Sequence, residues 1–179
     1  MNIVLYIDVQ EWHKARNLTN EDNLLVQSMK LIEEFSEFQS SKIEYIFYGK
    51  KDKDAVIDAV GDTLVCCSAV LDILRALTGK PISLQRIIGK VSKNQETKRF
   101  DELTLKVSQE TLKLKYEDLM KTISEIIVYL CKESNVIGLN VIEDDVVFLE
   151  HCLEVAFNVI KDRTGKNVNG NFIKSEDLQ

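Results

Sequence analysis

Over most of this chain the apolar positions recur at helical rather than strand spacing. Leu24, Leu31, Phe35 and Phe38 follow one another at intervals of seven, four and three, which places them on one face of a helix. Gln27, Lys30, Glu34 and Glu37, at intervals of three, four and three, form a separate polar stripe on the same helix, and Glu33 borders it. Upstream, Ile3 to Arg16 reads as a first helix ending at Asn17. Thr19 or Asn20 is placed to cap the second helix, and the charges of Glu21 and Asp22 suit its N-terminal end. Ser40 to Lys53, with Gly49 among lysines and aspartates, reads as a connection with room for one last helical turn.

A third helix is expected from Asp54 to Leu77, closed by Gly79 and Pro81. Its body, AVIDAVGDTLVCCSAVLDIL, is apolar nearly all the way round, which places it in the middle of a bundle; Asp58 and Asp62 interrupt that surface. Further helical patterning runs from Ser83 to Lys132, with a polar stretch from Lys93 to Arg99 and a clearer amphipathic run from Leu119 to Leu130. After a break at Gly138 and Asn140, a final helix is expected from Glu143 to Asp162, followed by the turn-rich RTGKNVNG and a polar tail. The expected fold is all-α, an antiparallel helix bundle forming a single domain over residues 1–179, with any metal or ligand chemistry built between facing helices.

Composition narrows the function classes. No apolar run is long enough to span a bilayer, and the start MNIVLYIDVQEW has no basic residue before its apolar part, so a cytoplasmic protein without a membrane partner is expected. The four cysteines lack paired CxxC spacing and the density of a secreted scaffold, and are expected to be reduced and buried. A formal charge of −6 argues against a nucleic-acid polymer as partner, yet suits a small anionic ligand held on a divalent metal. His13 and His151 stand far apart, each expected as a solvated or hydrogen-bonded side chain rather than a ligand.

The candidate chemistry lies in the carboxylates. Glu34 and Glu37 are about one turn apart on the second helix, and Asp58 and Asp62 are one turn apart on the third. Two such pairs facing each other make a hard-oxygen site suited to magnesium or manganese. Taken alone, EExxE is common on solvated helix faces. An aspartate inside an apolar helix is different, because an unpaired buried charge costs several kcal/mol and a bound cation removes that cost. Gly61, beside Asp62, forfeits roughly 1 kcal/mol against alanine and signals close approach of a backbone or a ligand; a plain helix crossing is the other reading, and both can hold.

Four pieces, WHKARNL (12–18), QSMKLIEEFSEF (27–38), DAVGDTLV (58–65) and CLEVAFNVIKDRTGK (152–166), resemble in residues, order and spacing the MazG-like nucleotide pyrophosphohydrolases, especially the small versions of phages and their hosts. The resemblance covers roughly the first 75 residues and the last 30, and the middle of the chain is not covered. It implies hydrolysis of a ribo- or deoxynucleoside triphosphate to the monophosphate and pyrophosphate. Glu34, Glu37, Asp58 and Asp62 would hold Mg²⁺ or Mn²⁺, and Glu33 would orient the attacking water or support the ligands. Lys30, Arg16, Lys161 and Arg163 are candidate cations for the polyphosphate. Asn158 and Lys161, spaced as NxxK, match a substrate-binding element of related helical enzymes, against a solvated helix end as the plain alternative. Trp12 and Asn17, in the first piece, join the substrate-binding candidates; Trp12 is suited to stack on a base, although a lone tryptophan is more often core.

The family pattern has an acidic pair of the form ExxD, whereas the position three before Asp62 is Ala59; Asp58 lies on nearly the same face and can take that ligand position. A non-catalytic helical adaptor, or the same fold acting on a guanosine alarmone, are the competing functions. A homo-oligomer, at least a dimer, is expected, because the third helix and the segments Ile123 to Leu130 and Val146 to Ile160 offer more apolar surface than one small bundle covers, and the resemblance implies that the KDR segment reaches a neighbour's site.

Overall fold

A computed structural model describes residues 2–50, 52–139 and 144–178, and its described residues are mainly helical. Helix α1 (Ile3–Ala15) begins at Asn2, whose side chain accepts from the Leu5 amide. A short 3-10 turn (Glu21–Asn23) leads into α2 (Leu24–Phe47). Neither Asn20 nor Asn23 caps these starts with its side chain; the Asn23 amide instead donates to the Asn17 and Leu18 carbonyls, 2.9 and 3.2 Å away, and braces the corner between α1 and α2. Asn17 makes that corner possible by adopting the left-handed region at φ 53°.

The expected connection after Ser40 is instead the last two turns of α2. Lys42 is buried there, its ammonium 2.9 Å from Glu133 and 3.3 Å from the Tyr129 hydroxyl, which itself donates to Gln39. Polar residues that read as loop in isolation are thus paired across to α6 (Tyr116–Val136), and burial of the pair holds the helix on.

The central helix α3 (Lys53–Thr78) opens on Asp52, which accepts from the Ala55 amide, and closes on Gly79 at φ 68°. From Ala59 to Leu74 every residue except Asp62 is buried. It packs along α2 on one side and α7 (Asp145–Ile160) on the other, with α1, α4 (Leu84–Ile88) and α6 completing the enclosure. α5 (Phe100–Leu112) packs on α2 and α6, where Phe35 meets Phe100 at 4.9 Å and Tyr129 at 5.4 Å between ring centres. Asp144 caps α7 through the Val146 and Val147 amides; Asn140 and Glu143 of the expected break and helix start lie outside the described residues.

The expected polar tail is a β-hairpin. β1 (Gly165–Val168) pairs antiparallel with β2 (Asn171–Lys174), and the turn between them holds Asn169 at φ 51° and Gly170 at φ 88°. Two consecutive positive φ angles match the twist of a tight hairpin, which is why Asn-Gly serves there.

Apolar α3 is covered within one chain, and Ile123, Ile127, Leu149 and Leu153 of α6 and α7 are fully buried as well. Within these segments Val147 and Val159 remain exposed, and further exposed apolar side chains include Ile3, Val4 and Ile7 of α1 and Ile46, Phe47 and Tyr48 near the end of α2. All four cysteines are free and buried. Among the described residues no helix is long and apolar enough to cross a membrane.

Gly61 is where α3 and α7 touch. A Cβ there would lie 2.1 Å from the Cys152 carbonyl oxygen and 2.7 Å from the Ala156 Cβ, so a backbone crossing excludes any side chain. Gly61→Ala would gain about 1 kcal/mol of helix propensity in an open helix; here it is expected to destabilise by about 1–3 kcal/mol through overpacking. Urea unfolding measures this, and an unchanged or raised midpoint would contradict the crossing.

Candidate functional site

The polar stripe of α2 and the aspartates of α3 come together because both helices turn their apolar faces into one core. Glu34 and Asp62, from the two helices, line the same cavity of about 200 Å³. Lys30 and Gln27 join them from α2, Trp12 and His13 from α1, and Arg163 from the segment between α7 and the hairpin. The hairpin contributes Asn171, Phe172 and Lys174. It is fastened to α2 by Gln27, which donates to the Gly170 carbonyl at 2.7 Å, and to the α1 corner by Asn167, which donates to the Arg16 and Asn17 carbonyls.

The charges are closely coupled. The Lys30 ammonium is 2.7 Å from Glu34 and 3.0 Å from Glu33. Burial alone would lower its pKa, but hydrogen bonds and charge from Glu34 and Glu33 outweigh that and raise it. Asp62 is pushed up from 3.8 to about 7, first by burial and then by Glu34, Asp58 and Glu37, with Arg163 pulling the other way. Glu37 is also raised, by burial and then by the Glu34 charge. Each carboxylate therefore penalises ionisation of another, which is the behaviour of an acidic cluster short of cations. Among the described residues no three His, Cys, Asp or Glu side chains gather closely enough to hold a metal as they stand. Among the described residues the cation paired with Glu34 is Lys30.

His13 departs from the expectation of a solvated or hydrogen-bonded ring. It is buried and its Nδ1 has no partner; burial, then the Arg16 charge, push its pKa down to about 3, so the ring stays neutral. His151 is exposed.

The remaining candidates divide between cavity and frame. Trp12 lines the cavity, but its indole N–H donates to the Ile160 carbonyl at 3.0 Å and one ring face carries the Arg16 guanidinium at 4.2 Å. Arg16 donates to the Trp12 and Arg163 carbonyls and lies between Trp12 and Phe172, so its donors serve the junction of α1 with the C-terminal segment. Asn17 is exposed at the corner, its carbonyl accepting from Asn23 and Asn167. Asn158 and Lys161 are exposed and bonded to each other at 2.9 Å, outside the cavity lining. Arg163 faces its own chain's Asp62. Glu33 is exposed and Asp58 half-buried, while Ala59 is buried in the core.

Sequence reasoning missed the cavity roles of His13, Gln27, Asn171, Phe172 and Lys174. The Asn169-Gly170 pair between alternating apolar and polar residues was a readable hairpin signal. Nothing local indicates that the hairpin returns to α2. Comparison with protein-family models, curated proteins and solved structures finds no match to this chain.

Asp62 and His13 oppose one another in their effect on stability. With the Asp62 pKa raised in the folded state, stability falls as pH rises from about 4 to 7, because the folded chain holds a proton the unfolded chain has released. With the His13 pKa lowered to about 3, stability rises between about 3 and 6.5, because there the unfolded chain binds the extra proton. In metal-free buffer Asp62→Asn is expected to be more stable than the parent near pH 8, by at most about 4 kcal/mol, and level with it near pH 4. Denaturation midpoints across that range report the difference. A constant gap between the two proteins would show that Asp62 ionises normally.

Proposed function

We propose that the chain is a magnesium-dependent nucleoside triphosphate pyrophosphohydrolase of the MazG-like type. One observation carries the proposal: Glu34 and Asp62, on different helices, line one cavity with Lys30 and Arg163, while Glu37 and Asp58 stand near enough for their charges to act on Asp62. The oxygen-only donor set suits Mg²⁺ or Mn²⁺, and the raised Asp62 carboxyl is the mark of acids that an added cation would relieve. When bound by Glu34, Glu37, Asp58 and Asp62, the metal would neutralise triphosphate charge and acidify a water.

The chain's own groups have defined tasks in this proposal. Lys30 releases Glu34 to the cation and turns to the phosphates. Arg163 and Lys174 supply further positive charge at the cavity, and Glu33 supports the water. Trp12 and Phe172 wall the space in which a base would sit, and the buried neutral His13 adds no charge to it. A homodimer would bury the exposed Ile3, Val4 and Ile7 of α1; light scattering at working concentration measures it, and a monomer there removes the dimer but leaves the chemistry.

The Lys30–Glu34 pair is also the observation that favours a non-catalytic adaptor, since an internal ammonium can stand where a cation would be needed. Turnover separates the two. A panel of ribo- and deoxynucleoside triphosphates with magnesium should give pyrophosphate; orthophosphate would mean a different bond is cut, and no product on any substrate, guanosine tetraphosphate included, would leave the adaptor.

Glu37→Gln and Asp62→Asn are each expected to abolish turnover while the helical circular dichroism persists. Near-normal rates in both would remove the carboxylates from the site. Asp58→Ala should shift the magnesium titration to higher concentration, and an unchanged titration would take Asp58 out of the ligand set. Lys174→Ala should raise KM about tenfold, the worth of one charge-assisted hydrogen bond, with little change in kcat.

A further inference from the structure

On the side of the bundle formed by α4 and α6 lies a second concavity, of about 440 Å³, larger than the carboxylate cavity and lined by none of its residues. Its floor is apolar. Met120 and Val128 of α6 and Val91 are buried, and Ile82 and Ile87 are partly buried against the core. Met120, Ser124 and Val128 occupy successive fourth positions of α6, so one strip of that helix runs beneath it for about 12 Å. The 80–82 turn, α4 and the 90–95 segment supply the other walls, giving a lining from three sides rather than an open helix face.

The rim is cationic. Lys80, Arg86 and Lys90 line the opening, and among the described residues no carboxylate does. Of the three, Lys80 is paired with Glu117 outside the lining, and one Arg86 nitrogen donates to the Pro81 carbonyl at 2.6 Å. Arg86 and Lys90 are exposed and no acidic partner engages either among the described residues. In a chain of net charge −6, three cations around an apolar hollow with no acid in its lining are a local reversal of the protein's charge. The volume falls within the range of small-molecule pockets, about 300–1,000 Å³.

We infer that this concavity is a binding site for a small amphiphilic anion, an apolar body carrying one carboxylate or comparable acidic head. The body lies along the Met120–Val128 strip, and the head meets Arg86 and Lys90. Arg86 presents a forked set of donors suited to a carboxylate, and Lys90 adds a mobile point charge. Ser124 and Gln95 are uncharged polar groups of the lining, but the Ser124 hydroxyl donates to the Met120 carbonyl and the Gln95 amide to the Lys90 carbonyl, so the cations are what hold the head. The site is independent of the hydrolase proposal, since it shares no residue with the carboxylate cavity.

Three amphiphiles test it by isothermal titration calorimetry on the full chain: decanoate, decyltrimethylammonium with the same tail and opposite charge, and octanoate. Decanoate is expected to bind saturably with one site per chain, octanoate more weakly, and the cationic amphiphile at least tenfold more weakly. The double variant Arg86→Glu with Lys90→Glu, both exposed, should lose decanoate binding by tenfold or more while keeping the parent's melting temperature. Val128→Trp should block the floor. If that variant fails to fold, two-dimensional amide NMR of the parent with decanoate decides the location, with shifts expected at Val91, Met120 and Ser124. Equal binding of both charged amphiphiles, retention of binding in the double variant, or shifts confined to the α1 face would each overturn the proposal. So would a concentration-dependent dimer that excludes decanoate, which would make the occupant a second copy.

Discussion

The enclosure of α3 is the constraint on which the rest of the molecule depends. A helix apolar on nearly every side cannot meet water without losing the burial that holds the fold together, roughly 25 cal/mol for each Å² of apolar surface. It is therefore wrapped by α2, α7, α1 and α6, and the wrapping is tight enough that at Gly61 the backbone of α7 comes within van der Waals contact of α3. Asp62 follows Gly61 immediately. The position that admits the closest helix approach is thus chained to the one residue between Ala59 and Leu74 that is not fully buried, and the packing of α3 fixes how far that carboxyl can retreat from its neighbours.

Electrostatics at this point are set by supply of cations rather than by the acids alone. Lys30 engages Glu33 and Glu34 together, yet the Glu34 charge still acts on Asp62 and Glu37, and Asp58 and Glu37 add to it at Asp62 with Arg163 as a partial counterweight. Such a cluster is held in place by the hydrophobic core, and it lowers the stability of the fold whenever all its members ionise. The raised Asp62 carboxyl is where the cluster takes up a proton.

The hairpin closes the same site by backbone chemistry. Gln27, Asn23 and Asn167 spend their amides on carbonyls of Gly170, Leu18, Asn17 and Arg16, so the corner after α1, the start of α2 and the C-terminal hairpin form one polar junction. Arg16, which in sequence resembles a phosphate-binding cation, belongs to this junction. Its guanidinium is stacked on Trp12 and its donors point at main chain. Lys174, in a segment with the composition of a tail, stands at the cavity instead.

Much of this was legible in the sequence where one helix suffices to decide. The spacing of Leu31, Phe35 and Phe38 against Lys30, Glu34 and Glu37 separates the two faces of α2 without reference to any partner, and the extent of α3 follows from a long, mainly apolar run that Gly79 closes. Periodicity is a property of the local backbone, so it survives in a linear string. The ends and charges that depend on a partner were not legible. Lys42 and Gln39 extend α2 only because Glu133 and Tyr129 wait ninety residues later, and His13 is neutral because burial and then the Arg16 charge hold it so. The hairpin's turn was readable as Asn-Gly, yet its place over the cavity rests on Gln27, 143 residues away in the chain. Local pattern determined the helices and their faces; long-range hydrogen bonds and desolvation, which exist only once distant segments meet, decided which polar residues line the cavity and which hold its frame.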